Sequence, residues 1–336
     1  MVADSVIQLR EKAMTMTVRL GTRGSRLALW QTNWVINEIK KNHPQIDFEI
    51  KVFTTQGDKI QDISLRAVNN DDGFFVRELE TALLNNEIDL AVHSLKDLPH
   101  QQPQGLVVPV TPIRQDARDA LFSRGGGKLT DLPTGARIGT DSVRRASQLL
   151  NFRSDYQIIS LRGNVDTRLR KLHDPELGYD AIVLALAGVS RLDMAKDVAE
   201  KIPYRVMLPA PGQGALAPEC RSNDRKLIGI LNTINDLPSR TEVECEKAFM
   251  AALGGGCQTP VGCKAEVVWG KLIARGFVGS PDGKQAIRVE LQEEWQEGPM
   301  GPARDLGKRL ADLALEQGAR EVLDEARANG YVTARK

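Results

Sequence analysis

Short apolar runs alternate with amphipathic helical stretches along the first two-thirds of the chain, and few folds accept that pattern. Thr17–Leu20 is strand-like and runs into the loop GTRGS. Ser25 is placed there to cap a helix with Leu27, Trp30, Trp34 and Val35 at helical spacing, which Asn42-His43-Pro44 stops. FEIKVFTT (48–55) reads as a strand, and FFVRELETALLNN (74–86) as a helix with Phe75, Leu79 and Leu83 on one face. IDLAVHS (88–94) then reads as a buried strand delivering the loop Leu95-Lys96-Asp97-Leu98-Pro99. This order predicts a parallel or mixed sheet with helices on both faces.

After Val110-Thr111-Pro112 the alternation starts afresh. ARIGT is a strand, DSVRRASQLLNF a helix, YQIISLRG a strand, NVDTRLRKL a helix, and YDAIVLALAG a strand leading into a helix. The Pro- and Gly-rich LPAPGQGALAPEC (208–220) reads as a return crossing. The first α/β domain is therefore expected over 17–112 and 207–233, and the second over 113–206. A smaller α+β domain is expected over 240–336, opening with the helix EVECEKAFMAALGGG and closing with one final helix, GPARDLGKRLADLALEQGAREVL. Residues 1–16 are read as an extension, upstream of a start at Met14 or Met16. They lack the continuous apolar core of about 7–15 residues that marks a secretory signal.

Composition narrows the function. A net charge of +1 argues against a broad basic surface for nucleic acid, and runs such as AIVLALAGV (181–189) are too short to span a bilayer. Cys220, Cys245, Cys257 and Cys263 form no CxxC and no disulfide framework, and the four histidines are scattered, so no metal is expected and the cytoplasm is the default compartment.

Three strand-to-helix junctions share one design. GTRGS carries Arg23 and Ser25; GTDSVRR carries Thr140, Ser142, Arg144 and Arg145; SLRGNVDTR carries Arg162 and, a turn later, Arg168. In parallel α/β sheets such junctions lie at the carboxyl ends of strands, where ligands bind. Helix N-termini favour anions, and arginine forks take carboxylate or phosphate in a bidentate way. One such arginine fits a solvated helix face equally well; three junctions together point to a cleft for a small polyanion. Neither GxGxxG nor a Walker sequence is present, so several carboxylates suit the pattern better than a nucleotide.

Asp97, just past a buried strand, is expected to point into the same cleft, where it could stabilise a cation and pass protons. It would equally suit a turn shortly before Pro99. Lys96 is an anion contact or simply exposed, and His93 reads as a satisfied core histidine. Cys257 follows three glycines in LGGGCQTPVGC (253–263), a poor place for a core thiol and a good one for a thiol that something must reach.

Taken together, GTRGSRLALWQT, TTQGDK, FFVRELETALL, AVHSLKDLP, GTDSVRR, SLRGNVDTRL, ALAGVSRL, LPAPGQGAL and LGGGCQTPVG resemble the porphobilinogen deaminase (hydroxymethylbilane synthase) family, in its order, from about Thr17 to Leu323. The resemblance implies three domains, the first two periplasmic-binding-protein-like α/β domains and the third a smaller C-terminal α+β domain. It implies a dipyrromethane cofactor held by a thioether to Cys257, and condensation of four porphobilinogen molecules head to tail with loss of ammonia, before hydrolysis frees the linear hydroxymethylbilane. Asp97 is implied to assist deamination and stabilise azafulvene cations. Arg23, Ser25, Arg144, Arg145, Arg162, Gly163, Arg168 and Arg191 are implied to bind the acetate and propionate groups of cofactor and substrate, supported by Ser94, Lys96, Thr140, Ser142 and Gln213. Porphobilinogen and the growing pyrrole chain are the implied partners of a monomer, with neither nucleic acid nor membrane involved.

Two departures from the family pattern stand out. Asp71 and Asp72 replace an expected glycine and lysine in a loop thought to cover the site, with Arg77 for a lysine beyond it, and Asp141 replaces the first serine of a Ser-Ser pair. Asp71 and Asp72 are expected to repel substrate carboxylates; Asp141 suits a helix N-terminus but places negative charge near a carboxylate site. A carboxylate-binding module without chemistry would share the arginines; Cys257 with Asp97 separates it from the enzyme.

Overall fold

The computed structural model describes residues 16–55, 76–99, 101–254 and 259–328. Cys257 and the acidic pair Asp71 and Asp72 lie outside them, as does Phe75.

The chain opens with β1 (Thr17–Arg23), α1 (Arg26–Asn42), β2 (Asp47–Phe53), α2 (Arg77–Leu84), β3 (Leu90–Ser94) and β4 (Leu106–Val107). It continues through β5 (Asp119–Ser123), β6 (Arg137–Gly139), α3 (Val143–Phe152), β7 (Gln157–Ile159), α4 (Val165–His173), β8 (Ala181–Ala185), α5 (Leu186–Arg191) and β9 (Glu200–Lys201). After the Pro- and Gly-rich crossing, β10 (Leu216–Arg221) precedes α6 (Arg225–Leu231) and α7 (Leu237–Ala252). A final unit holds β11 (Val261–Val268), β12 (Lys271–Gly279), β13 (Ala286–Glu294), α8 (Gly301–Glu316) and α9 (Ala319–Ala328).

Two five-stranded sheets result, ordered β2-β1-β3-β10-β4 and β7-β6-β8-β5-β9, beside a three-stranded antiparallel sheet β11-β12-β13. The five-stranded sheets share one plan. Three parallel strands stand next to an antiparallel one, β10 against β3 in the first and β5 against β8 in the second. The molecule is thus α/β, two open mixed sheets of one plan and a smaller C-terminal α+β region.

The strands β4, β5 and β9 were not legible in the sequence pattern, and β10 begins inside the stretch 208–220 read there as a return crossing; β4 pairs with β10, and β5 with β8 and β9, far along the chain. The final helix also differs from expectation. It is two helices, α8 and α9, parted at Gly318, whose φ of +94° suits glycine and ends a helix as a left-handed cap does.

The crossings are pinned by Arg114, whose guanidinium donates to both carboxylate oxygens of Glu246 on α7 at 2.8 and 2.9 Å and to the Gln213 carbonyl at 2.9 Å. Burial would lower its pKa, but Glu246 and Glu242 outweigh that and raise it. On the same helix Val243 is buried in one cluster with Leu95, Leu98, Ala215 and Ala217 of the first sheet's loops. The C-terminal unit is thereby held against the turn that carries Asp97.

Candidate active site

A cleft of about 450 Å³ opens where the carboxyl ends of β1, β3, β6 and β8 converge, with α7 and the start of β11 closing one side. Its walls follow from local sequence. Ser25 caps α1 by accepting from the Ala28 N–H at 3.2 Å, which turns Arg23 to the cleft mouth. Ser142 caps α3 in the same way, accepting from the Arg145 N–H. Gly163 has a φ of +112°, and a Cβ there would meet the Thr167 side chain at 2.7 Å, so the loop after β7 needs glycine to turn into α4.

Asp97 lies in a single 3₁₀ turn, Leu95–Asp97, directly after β3. Leu95 and Leu98 are buried on either side of it, so the turn is anchored while the carboxylate faces the cleft and accepts no hydrogen bond from a described residue. Lys96 is half-buried and donates to Gln213 Oε1 at 3.3 Å, while the Ser94 hydroxyl accepts from Gln31 at 2.9 Å. Burial pushes the Lys96 ammonium down to about 8, against the opposing pull of Asp97.

The arginines divide into two sets. Arg144 and Arg145 form a fixed floor. Both guanidiniums bond to the fully buried Asp119 of β5, at 2.8 Å from Arg144 and at 2.8 and 3.0 Å from Arg145. Their remaining reach goes partly to the carbonyls of Leu208 and Val183, and Gln213 donates to the same carboxylate at 3.0 Å. Burial alone would raise the Asp119 carboxyl, but the two arginines hold it well below the usual carboxylate range. Nothing in the sequence marked Asp119, since its role depends on strand β5.

Arg162, Arg168 and Arg191 are the less committed set. Arg168 donates to the Gly163 carbonyl at 2.7 Å and Arg191 to the Gly214 carbonyl at 2.7 Å, with Trp30 beneath the Arg191 guanidinium. Burial pushes both down to about 10, still charged at neutral pH. Buried Nη1 of Arg162 and Nε of Arg191 have no hydrogen-bond partner among the described residues. Asp141 meets Arg162 at 3.4 Å and accepts from the Ser160 hydroxyl at 2.6 Å, so its charge is partly spent inside the wall rather than aimed wholly at a ligand. The negative charge expected near the carboxylate site is thus partly balanced within the wall.

Thirteen of the fifteen expected site residues line this cleft. Thr140 sits just beneath, buried, its hydroxyl accepting from the Ser142 N–H at 3.2 Å, and Cys257 lies outside the described residues. Arg26, Asp166 and Lys247 line it as well and were not singled out from sequence. Nine cationic side chains against three carboxylates surround the space, in a chain of net charge +1. The orphaned guanidinium nitrogens and the surplus of cations suit an anionic ligand.

Residues 18–229 match the family model described as "Porphobilinogen deaminase, dipyromethane cofactor binding domain", and 240–316 match "Porphobilinogen deaminase, C-terminal domain". The chain belongs to the porphobilinogen deaminase family. It is 42% identical to the porphobilinogen deaminase of Desulforamulus reducens over 94% of this chain and 99% of that one. It is 46% identical to that of Brevibacillus brevis over 91% and 96%. Among solved structures, an arginine-specific periplasmic binding protein of Salmonella typhimurium overlays 65% of this chain and 91% of its own at 14% identity and a TM-score of 0.35, too loose a likeness to carry weight. The cofactor of the family is dipyrromethane, and the chemistry of the cleft is compatible with a group bearing carboxylates, since buried Nη1 of Arg162 and Nε of Arg191 have no hydrogen-bond partner among the described residues. Among the described residues no cluster of three or more His, Cys, Asp or Glu could hold a metal, and no helix is long and apolar enough to cross a membrane.

Proposed function

We propose that the cleft binds porphobilinogen and the linear chain made from it by their carboxylates, and that Asp97 manages the protons of their condensation into hydroxymethylbilane. The observation that carries this is one acid, free of hydrogen bonds to described residues, among nine cations at the carboxyl ends of the strands. Arg162, Arg168 and Arg191 take ring carboxylates directly. Arg23, Ser25, Ser142 and Gly163 shape and charge the mouth, while Arg144, Arg145 and Gln213 hold a rigid positive floor over Asp119. Ser94 and Lys96 orient groups beside Asp97. Asp97 gives a proton to the departing amine of porphobilinogen, faces the cation that ammonia leaves behind, and accepts the proton released when the new bond forms.

Cys257 tethers the cofactor, two residues from Thr259 on the cleft wall. When bound there, dipyrromethane supplies the free pyrrole carbon to which the first porphobilinogen is joined. The reading extends to a cytoplasmic monomer that binds no nucleic acid, as the family resemblance implies; a single monomer-sized species by light scattering is the expected result.

Intact mass spectrometry with peptide mapping tests the tether. The chain is expected to carry a mass excess of two linked pyrrole units on Cys257. Cys257→Ser loses it and Cys263→Ser keeps it, because Cys263 is fully buried in the C-terminal core, where burial pushes its thiol far up. An unmodified chain after incubation with porphobilinogen would point to a binding module instead.

The Lys96 environment sets a pH dependence. Its ammonium attracts carboxylates below a pKa of about 8 and is neutral above it, so kcat/KM is expected to fall as pH rises through about 8. Lys96→Arg is expected to remove that alkaline limb; a limb unmoved in the variant would assign it to another group.

A further inference from the structure

Several charged side chains buried away from the cleft walls are paired within the protein. Arg114 is matched by Glu246 and Glu242, Lys264 by Glu242 at 2.9 Å, and Asp119 by two arginines. Lys247 differs. It lines the cleft from α7, and its ammonium makes neither a hydrogen bond nor an ion pair with a described residue. Of its neighbouring carboxylates, Glu244 pairs with Arg304 at 2.6 Å, and Glu219 meets His93 through Oε2 at 3.0 Å.

The helix register says where this charge points. Val243, one turn earlier on the same face, is buried with Leu95 and Leu98, the residues that flank Asp97. Met250, one turn later, lines the cleft, and its sulfur accepts from the Thr259 hydroxyl at 3.6 Å. One face of α7 therefore runs from the Asp97 turn to the strand that follows Cys257, with Lys247 midway. Burial lowers the Lys247 pKa, against the smaller opposing pull of Glu244 and Glu219.

We propose that Lys247 binds a carboxylate of the pyrrole chain, a cation contributed by the C-terminal unit to a site whose other cationic side chains come from the two five-stranded units. The inference rests on the reading of the ligand as a pyrrole polycarboxylate. It makes the C-terminal unit a second wall of the binding site as well as the carrier of the tether.

Two measurements test it. The purified chain is loaded with porphobilinogen, freed of excess by gel filtration, dimethylated at lysines by reductive alkylation, and mapped by mass spectrometry. Labelling of Lys247 is expected to drop about fivefold on loading, the effect of sequestering a once-accessible amine in an ion pair, while exposed Lys226 stays unchanged. Lys247→Gln is expected to raise KM about tenfold with kcat within about twofold, as losing a charge-assisted contact made equally in ground and transition states does. Lys247→Arg is expected to restore KM to within about threefold. Unaltered labelling on loading, or an unchanged KM in Lys247→Gln, overturns the proposal. Protection of Lys247 in a chain that makes no hydroxymethylbilane would support the contact and place the failure in the proposed reaction.

Discussion

Asp97→Asn is expected to leave a folded chain whose turnover is lower by about 10²–10⁴, the range associated with a positioned acid or base. The asparagine is nearly isosteric, and the carboxylate it replaces accepts no hydrogen bond from a described residue, so nothing structural is lost. Leu95 and Leu98 keep the turn seated, and the Leu98 N–H still donates to the Leu95 carbonyl at 3.1 Å. Unfolding free energy should shift by no more than about 0.5 kcal/mol. Steady-state hydroxymethylbilane production beside a urea titration separates the two effects. Near-normal production by this variant would remove Asp97 from its role.

Asp119→Asn is expected to do the reverse, lowering stability by about 3–5 kcal/mol through two buried guanidiniums left without their counter-charge. Set against a typical total of about 5–15 kcal/mol, that is enough to bring unfolding close to working temperature. The surface pair Asp116–Arg118 supplies the contrast. At 2.6 Å it is shorter than either Asp119 contact, yet both partners are a third exposed, and Asp116→Asn should cost at most about 1 kcal/mol. Urea midpoints of the two variants check this directly, and equal midpoints would mean the buried triad is no anchor. Asp119→Asn should also raise KM, since Arg144 and Arg145 lose the group that aims them.

Both predictions depend on facts of different origin. Asp97, the arginine junctions and the Ser25 and Ser142 caps were legible because each is a local event. A strand ends, a serine caps the next helix, and free N–H groups and arginines collect at one place. Cys257 is proposed on similar grounds, three glycines and a motif written in consecutive residues, and lies outside the described residues. The break between α8 and α9 was also written locally, in Gln317-Gly318, and was missed because the apolar periodicity carries on across it.

Other features had no local signature. Ala120, Leu121 and Phe122 of β5 became a strand only because β8 and β9 flank them after a crossover. Lys247 became a wall of the cleft because Val243 docks on the turns of the first sheet. Asp141 read as negative charge near a carboxylate site until Arg162 and Ser160 closed on it from another loop.

By itself the sequence determined the α/β class, the family and the arginine-bearing junctions, and it singled out Asp97 and Cys257 as the residues proposed to react, since all rest on spacing within a few turns or on contiguous motifs. Which arginines are tied down and which remain open to a ligand was decided only by the tertiary structure. Asp119 lies 25 and 26 positions from the arginines it holds, and local periodicity carries no information over that distance; packing of the second sheet does.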